Sequence, residues 1–333
     1  MNQNSGVVAV VLCAVLLLAG QAGQAVLAAE KSATGDYPNR PIRLITPAPP
    51  GGSTDFLSRI IAPRLADTLK GSIVIDNRGG AGGVVAAEIT AKAPADGYTL
   101  LMAYSSHTTN PSLNPKAGYR AVDDYAPVTQ VTMAALVLVV NPQLPINSAR
   151  EMIAYGKANP NKLNFGSAGN GSGAHMSLEL FKYMTGLPAQ HIPYKGMGPA
   201  VIDLLGGQIQ AMFAGMLPIQ SVLRAGRVRA LAVTSLRRVS SLPDIPTIAE
   251  TGVPGYDVAT WYGVLAPAGT PRPIVDRLNR EIVTILKTPE VRQKLQDDGA
   301  EVVAGTPEAF EKMMRAELEK WARVVKATGA RLD

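Results

Sequence analysis

Short apolar runs alternate with segments of helical period from Tyr37 onward. The first five of these segments predict a β-α-β-α-β order, with strands at 42–48, 72–76 and 99–104 and helices at 54–69 and 84–93. Pro63 lies inside the first helix and is expected to kink or divide it. Because parallel strands need a crossover between them, this order predicts a parallel sheet with right-handed connections.

A second unit of the same kind begins near residue 135. The pattern predicts strands at 135–141, 162–168, 190–194, 209–215 and 228–234, with helices at 148–158, 173–185 and 199–205. A further strand (261–267) and two amphipathic helices (273–286 and 307–328) follow. The runs 131–140 and 256–266 are expected to cross between the two units.

Two such units with two crossings predict a bilobal α/β protein. We expect lobe 1 to comprise 37–138 plus 262–333, and lobe 2 to comprise 139–261. Ligands of open α/β sheets bind outside the carboxyl ends of the strands, so the site is expected in the cleft between the lobes.

The first 29 residues differ from the rest of the chain. An uninterrupted apolar run at 7–19 is too short to span a bilayer comfortably, and small residues follow it. This pattern predicts a secretory signal peptide over 1–29 and an exported protein. Residues 1–6 contain no Lys or Arg, which leaves an uncleaved membrane anchor or a wrongly assigned start as alternatives.

Composition narrows the classes of function. The chain has 333 residues and a net charge of +6, but its basic residues are scattered, so nucleic acid is not an expected partner. Its one cysteine, Cys13, lies in the signal segment. Without that segment the chain has no cysteine, which excludes disulfides, thiolate catalysis and zinc–thiolate sites.

Three loops have the residues of anion-binding turns. The first, PPGGSTD (49–55), follows a strand and opens a helix. Gly51 and Gly52 are expected to adopt torsions that other residues disfavour, while Ser53, Thr54 or Asp55 caps the helix. No lysine follows the glycines, so the loop suits a small carboxylate better than a nucleotide triphosphate. A capped turn without a ligand is the alternative.

The other two loops repeat this device. GGAGG (79–83) opens the second helix, and FGSAGNGSGAH (165–175) opens a helix of the second unit. The third loop formally matches GxGxxA, but Tyr194 and Lys195 stand where a dinucleotide site needs an acidic residue. Dinucleotide binding is therefore not expected, and we predict no cofactor.

Catalytic motifs are absent from the sequence. GxSxG, HExxH and CxxC do not occur, and the three histidines are too dispersed in sequence to predict a metal cluster. His107 follows the third strand and is placed to reach the cleft, although an ordinary loop position is equally compatible. His191 lies within a strand and is expected to be structural. The chain is not expected to be an enzyme.

From Tyr37 to its end, the chain resembles the periplasmic solute receptors of tripartite tricarboxylate transporters, the Bug or TctC-like family. The matching stretches are YPNRPIRLITP, PPGGSTD, NRGGAGG, ADGYTLL, FGSAGNGSGAH, IPYKGMGPAVIDLLGGQI, RVRALAVTS, LPDIPTIAETGVPGY and PAGTP. Ala48 departs from the bulkier or more polar residue that the family often has there. This departure concerns the shape of the pocket, not the fold.

The resemblance implies a Venus-flytrap fold of type II-like, bilobal construction with two chain crossings. It also implies a carboxylate held largely by loop backbone and ordered waters. The residues that it assigns to the ligand are, in lobe 1, Pro49, Gly51, Gly52, Ser53, Thr54, Asp55, Gly82, Ser105, Ser106 and His107, and, in lobe 2, Ser167, Gly171, Ser172, His175, Lys195, Ala214 and Gly215.

Three functions remain open at this stage. The resemblance implies a monomeric receptor that delivers a carboxylate to the membrane subunits of a tripartite tricarboxylate transporter. A receptor that docks to the ectodomain of a sensor kinase would have the same binding domain. An enzyme acting on a carboxylate is the third alternative. Aliphatic di- or tricarboxylates, amino acids and aromatic acids all fit the expected site.

Overall fold

The structure is a computed structural model that describes residues 36–331 apart from 49, 51, 115, 195, 240 and 298. The expected signal peptide, Pro49, Gly51 and Lys195 lie outside the described residues. The described chain forms a six-stranded and a five-stranded sheet, each flanked by helices. The predicted bilobal α/β class with two sheets is confirmed.

The first sheet has the strand order β11-β4-β10-β3-β1-β2. Strands β1, β2 and β3 are mutually parallel, as predicted, whereas β10 runs antiparallel to both β3 and β4, and β11 antiparallel to β4. Its elements are β1 (Ile42–Thr46), α1 (Ser53–Leu69), β2 (Ile73–Asn77), α2 (Val84–Ala91), β3 (Thr99–Tyr104), α3 (Ser106–Leu113) and β4 (Tyr125–Ala135), joined later by β10 (Ala259–Pro267), α8 (Arg272–Lys287), α9 (Pro289–Asp297), β11 (Glu301–Val302) and α10 (Pro307–Thr328).

The second sheet has the strand order β7-β6-β8-β5-β9. Strands β7, β6 and β8 are parallel, and β5 runs antiparallel to its neighbours β8 and β9. Its elements are β5 (Val137–Val140), α4 (Ala149–Ala158), β6 (Asn164–Ser167), α5 (Gly173–Thr185), β7 (Gln190–Pro193), α6 (Met197–Leu205), β8 (Ala211–Ala214), α7 (Met216–Arg224) and β9 (Arg229–Val233).

Alternating side chains explain why the central strands are largely apolar. Ile42 and Leu44 belong to the core on one face of the first sheet, and Ile45 belongs to the core on the other. In β5, Leu138 and Val139 likewise pack into different cores. Successive side chains of a strand point to opposite faces, so a strand with both faces covered is apolar at every position.

Helix α1 continues through Pro63, so the predicted division of this helix is wrong. A proline removes one backbone donor, but the buried side chains on both sides of it hold the helix against the sheet. Ile60, Ile61 and Leu65 are all at most 4% exposed. Tertiary packing here outweighs the local cost of the proline.

The last helix, α10, contacts both sheets. Phe310 and Met314 near its start pack into a core of the first sheet, whereas Trp321, Val324 and Val325 near its end pack into a core of the second. One helix therefore connects the two units on one side of the molecule, in addition to the two chain crossings.

Candidate ligand cleft between the two sheets

The strand directions place the helix-opening loops of both sheets around one cleft. The chain leaves the first sheet at the end of β4 and enters the second at the start of β5, two residues later. Strand β3 is parallel to β4 because both pair antiparallel with β10. Strand β8 runs antiparallel to β5, and β6 and β7 are parallel to it. The carboxyl ends of β1–β3 and of β6–β8 therefore point toward the same crossing.

Asn77, at the end of β2, joins the first loop to helix α1. Its amide nitrogen lies 2.7 Å from the Thr46 hydroxyl, 2.9 Å from the Ala48 carbonyl and 3.1 Å from Oδ1 of Asp55. Asn77 was not predicted as a site residue. The available signal was a pair of polar residues, Asp76 and Asn77, at the end of an apolar run.

Asp55 is 1% exposed, and its Oδ2 accepts a hydrogen bond of 2.8 Å from Nε of Arg59. Its carboxylate in the first turn of α1 also interacts favourably with the helix dipole. The residue before the helix is Gly52, which has no side chain to cap it and has φ −74° and ψ 165°. These torsions suit any residue, so the expectation that Gly52 needs a glycine conformation is wrong.

We expect Asp55→Asn to destabilise the protein by about 1–3 kcal/mol, because it replaces the buried carboxylate that accepts hydrogen bonds from Arg59 and Asn77. Urea unfolding of the variant and the wild type measures this difference. Asp297→Asn, which changes an exposed carboxylate hydrogen-bonded to Gln293, is the matched control and should be nearly neutral. Equal stability of the Asp55 variant and the wild type would contradict this role.

The glycine turn after β2 is held by three side chains that meet on one carbonyl. The Gly82 oxygen accepts hydrogen bonds from the hydroxyls of Tyr104 and Ser106, each at 2.8 Å, and from the Asn110 amide at 3.0 Å. Gly82 has φ +64° and Gly83 has φ +96°, in the region that favours glycine. A Cβ on Gly83 would lie 3.1 Å from Tyr104, so the turn is also tightly packed there. The predicted need for glycine therefore applies to this turn.

The segment 105–107, expected to be a loop, is the start of helix α3. Ser106 faces the Gly82 turn, and the buried Ser105 and Thr54 hydroxyls have no hydrogen-bond partner within the described protein. Tyr262 lies near Ser53. Burial raises the pKa of Tyr262, and a hydrogen bond with Ser53 lowers it by less. Ser53, Thr54, Ser105 and Ser106 thus belong to neighbouring helix starts.

His107 does not join this group through its imidazole. The side chain is 4% exposed, stacks on Tyr119 and meets the edge of Tyr125, and its Nε2 lies 2.8 Å from the Ala121 carbonyl. Burial lowers the pKa of His107 to about 4. The expectation that this side chain reaches the cleft is therefore wrong, because the core of the first sheet encloses it.

In the second sheet, Ser167 lies at the end of β6 and is 1% exposed. Its hydroxyl lies 2.6 Å from Nε2 of His191 and accepts a hydrogen bond of 3.0 Å from the Gly169 amide. His191 lies on β7, the strand next to β6. As expected, His191 has a structural role, since it fixes the residue from which the loop begins.

The start of α5 is fixed by Ser172 and His175. The Ser172 hydroxyl caps the helix by accepting from the His175 amide, and Nδ1 of His175 accepts from the Gly171 amide at 3.0 Å. The His175 ring stacks on His191 with centroids 3.9 Å apart. Desolvation, with a smaller contribution from Lys182, lowers the pKa of His175 to about 4, so the ring is neutral at pH 7.

The remaining predicted residues lie at the end of β8. Ala214 is its last residue and is fully buried, and Gly215 precedes the first residue of α7. Helix α7 was not predicted, because its nine residues follow the strand without a recognisable capping side chain. The described residues bring Ser167, Gly171, Ser172 and Gly215 to the carboxyl edge of one sheet.

The lowered pKa values of the buried His107 and His175 predict that the protein loses stability in acid. Their folded-state pKa values, about 4, lie below the ordinary 6.5, so below pH 6.5 the unfolded chain binds protons that the folded chain does not. Stability is therefore retained above pH 6.5 and falls as the pH approaches 4. At pH 5 each histidine should lower the free energy of unfolding by about 2 kcal/mol relative to pH 7. In urea unfolding between pH 7 and pH 5, His107→Phe should lose less stability than the wild type, and an equal loss would contradict the assignment.

Within 36–331, apart from the stated gaps, no helix is long and apolar enough to cross a membrane. The same part of the chain contains no group of three or more His, Cys, Asp or Glu residues arranged to hold a metal ion. The cleft loops thus offer backbone amides, hydroxyls and helix N-termini, which are the groups that bind small anions.

Two α/β lobes that present such loops to a shared cleft define a solute-binding protein. The family model of the tripartite tricarboxylate transporter family receptors, TctC, matches residues 57–330. Protein BugT of Bordetella pertussis is 43% identical over 298 residues, which cover 89% of this chain and 91% of that protein. The chain therefore belongs to the TctC family of tripartite tricarboxylate transporter receptors.

Solved structures share the whole fold. Rpa4515 of R. palustris, determined with adipate, has a TM-score of 0.79 at 38% identity and covers 89% of this chain and 100% of its own. MatC (Rpa3494) from Rhodopseudomonas palustris, with bound malate, has a TM-score of 0.77 at 34% identity, covering 87% and 100%. The family is one of periplasmic solute-binding receptors rather than of enzymes.

Proposed function

We propose that the protein captures a small organic carboxylate in the cleft and delivers it to the membrane subunits of a tripartite tricarboxylate transporter. The observation that carries this proposal is the convergence of helix-opening loops from both sheets on one crossing. In the first sheet the Gly82 turn is fixed by three hydrogen bonds to one carbonyl, and in the second the Gly171 amide is fixed by His175. The adipate and malate bound to the two relatives support the class of ligand.

The donor groups around the cleft favour a carboxylate over a nucleotide or a sugar. Helices α1, α2 and α5 begin at these loops, and the N-terminus of a helix carries partial positive charge and free amide donors. The hydroxyls of Thr54 and Ser105, which have no hydrogen-bond partner among the described residues, add neutral donors near the starts of α1 and α3. Such donors match the two oxygens of a carboxylate without the cost of burying a full positive charge.

The proposed lobes keep the boundaries expected from the sequence, 37–138 plus 262–333 and 139–261. Strands β4 and β5 on one side and β9 and β10 on the other support the positions of the two crossings. The end of α10 packs against the second sheet, so we propose that this helix moves with one lobe and slides on the other.

Export to the periplasm is part of the proposal, with cleavage in the segment 25–29 and a mature chain that begins near Ala29. We expect N-terminal sequencing of the protein recovered from the periplasm to start there. Met1 or Asn2 at the N-terminus of the exported protein would contradict cleavage and favour the membrane anchor.

Transport and sensing are separated by an uptake experiment. We expect cells that lack this protein to lose uptake of the acid that it binds, and expression of the wild-type chain to restore it. Normal uptake with loss of acid-induced gene expression would instead support a receptor for a sensor kinase.

A further inference from the structure

A second groove lies behind the crossing strands, on the side away from the ligand cleft. Its position follows from the strand order: β11 flanks β4 on the edge opposite β3, β1 and β2, and β9 flanks β5 on the edge opposite β8, β6 and β7. The groove has a volume of about 560 Å³. One wall comes from Arg292 and Gln296 of α9 and from residues 299–302, and the other comes from residues 235–239 and 241, which follow the second sheet. We call it the rear groove.

The rear groove has an apolar floor. Met133 and Ala135 from the end of β4 and Ala259 from the start of β10 line it, together with Leu236 on the opposite wall. Met133 is 36% exposed and Leu236 is 57% exposed, so both side chains present apolar surface to the groove. Exposed apolar side chains from both walls of one groove favour an occupant with an apolar body.

Among the described residues, one arginine of the rear groove has an ion-pair partner and two do not. Arg238 is neutralised by Glu250 at 3.0 Å. Arg237 and Arg292, one from each wall, form no salt bridge and no side-chain hydrogen bond with any described residue. Two carboxyl groups also line the groove. Glu301 is exposed, and burial raises the pKa of Asp257, although nearby Lys320 opposes that shift.

We propose that the rear groove is a second ligand site, which binds a small organic dianion between Arg237 and Arg292. The guanidinium groups of the two walls would each hold one carboxylate, and the apolar body would cover Met133 and Leu236. Arginine suits this role because its planar donors bind carboxylates in a bidentate manner. Inorganic phosphate is an anion like the proposed ligand but has no apolar body. Comparing its binding with that of an organic dianion therefore separates the contribution of the arginines from that of the apolar contact.

This site opposes closure of the ligand cleft. When two lobes rotate about crossing strands, narrowing the space on one side of the strands widens the space on the other. An anion that bridges both walls of the rear groove therefore binds the open form better. By thermodynamic linkage, a ligand in the front cleft weakens the rear site by the same factor.

Calorimetric titration of the full mature chain with phthalate, at fixed ionic strength, tests the site. We expect saturable binding that weakens at least tenfold in Arg237→Gln and in Arg292→Gln. Arg323→Gln, which removes an exposed charge of α10, should leave it unchanged. Inorganic phosphate should bind more weakly than phthalate. The absence of saturable phthalate binding, equal affinity in all three variants, or phosphate binding as tight as phthalate binding would each overturn the proposal.

A second pair of measurements separates the rear groove from the front cleft. Gly82→Val should retain phthalate binding, because Gly82 lies in the front cleft. Small-angle scattering should show that phthalate leaves the radius of gyration of the free protein unchanged or increases it. Loss of phthalate binding in Gly82→Val, or a decrease in the radius of gyration, would place phthalate in the front cleft and overturn the rear site.

Discussion

Gly82→Val should abolish carboxylate binding, with a loss of at least about 100-fold, or roughly 2.7 kcal/mol. Gly82 has φ +64°, a conformation that is costly for any residue with a Cβ and more so for a β-branched one. Its carbonyl is the common acceptor of Tyr104, Ser106 and Asn110, so a changed backbone displaces three side chains together. A Cβ itself meets Asn110 only at 3.5 Å, so the effect comes from torsion rather than from collision.

Gly226→Val is the matched control for this prediction. Gly226 has φ +65°, almost the same torsion, but lies between α7 and β9 with nothing within 4 Å of an added Cβ. Both variants should lose stability in thermal unfolding because of the torsion, Gly82→Val somewhat more because its three side-chain hydrogen bonds are disturbed. Only Gly82→Val should lose binding in calorimetry. Unchanged affinity in Gly82→Val with the fold intact by circular dichroism would show that the site is elsewhere.

A cognate acid should stabilise the protein and close it at the same time. Neither sheet alone surrounds the cleft, so the acid is expected to bridge the helix starts near Ser53 and Gly82 with those near Ser172. A ligand drives closure to the extent that it binds the closed form better. At a hundredfold excess over its dissociation constant, it adds about 2.7 kcal/mol to the free energy of unfolding. For a chain of this size the melting temperature should rise by roughly 5 °C.

Thermal shift with a panel of organic acids identifies the candidates, and small-angle scattering measures closure. The radius of gyration should fall with the same acid that raises the melting temperature. Methyl esters of that acid are the matched control, because they keep the carbon skeleton and remove the charge. A stabilising acid that leaves the scattering curve of the free form unchanged would mean that one lobe binds it alone.

The fold was predictable because its central strands are largely apolar. The run 137–140 is apolar and buried throughout, and 42–46 is interrupted only by Arg43 and Thr46, so the pattern is visible without a structure. Helices α3, α7 and α9 were missed. Pro111 and the polar residues Ser106–Asn110 give α3 little helical signal, and its formation depends on contacts with α10 that lie two hundred residues away.

The candidate site could be predicted from the sequence at its glycine turns, and less so at its polar side chains. A glycine turn before a helix is a local sequence pattern, which is why the Gly82 turn was recognised as a candidate. Tyr104 and Asn110 contact that turn from other elements, and Asn77 contacts the first loop in the same way. Such partners depend on sheet register, which the sequence does not show locally. His107 illustrates the opposite error, since its position after a strand suggested the cleft while Tyr119 and Tyr125 enclose it in the core.

Mass spectrometry of the small molecules released from protein purified without refolding tests the central claim most directly. We predict a single organic acid at close to one molecule per chain from the wild type and from Gly226→Val, and none from Gly82→Val. A released compound without a carboxylate, or the same acid recovered equally from Gly82→Val, would contradict a carboxylate receptor that binds its ligand in the cleft between the two sheets.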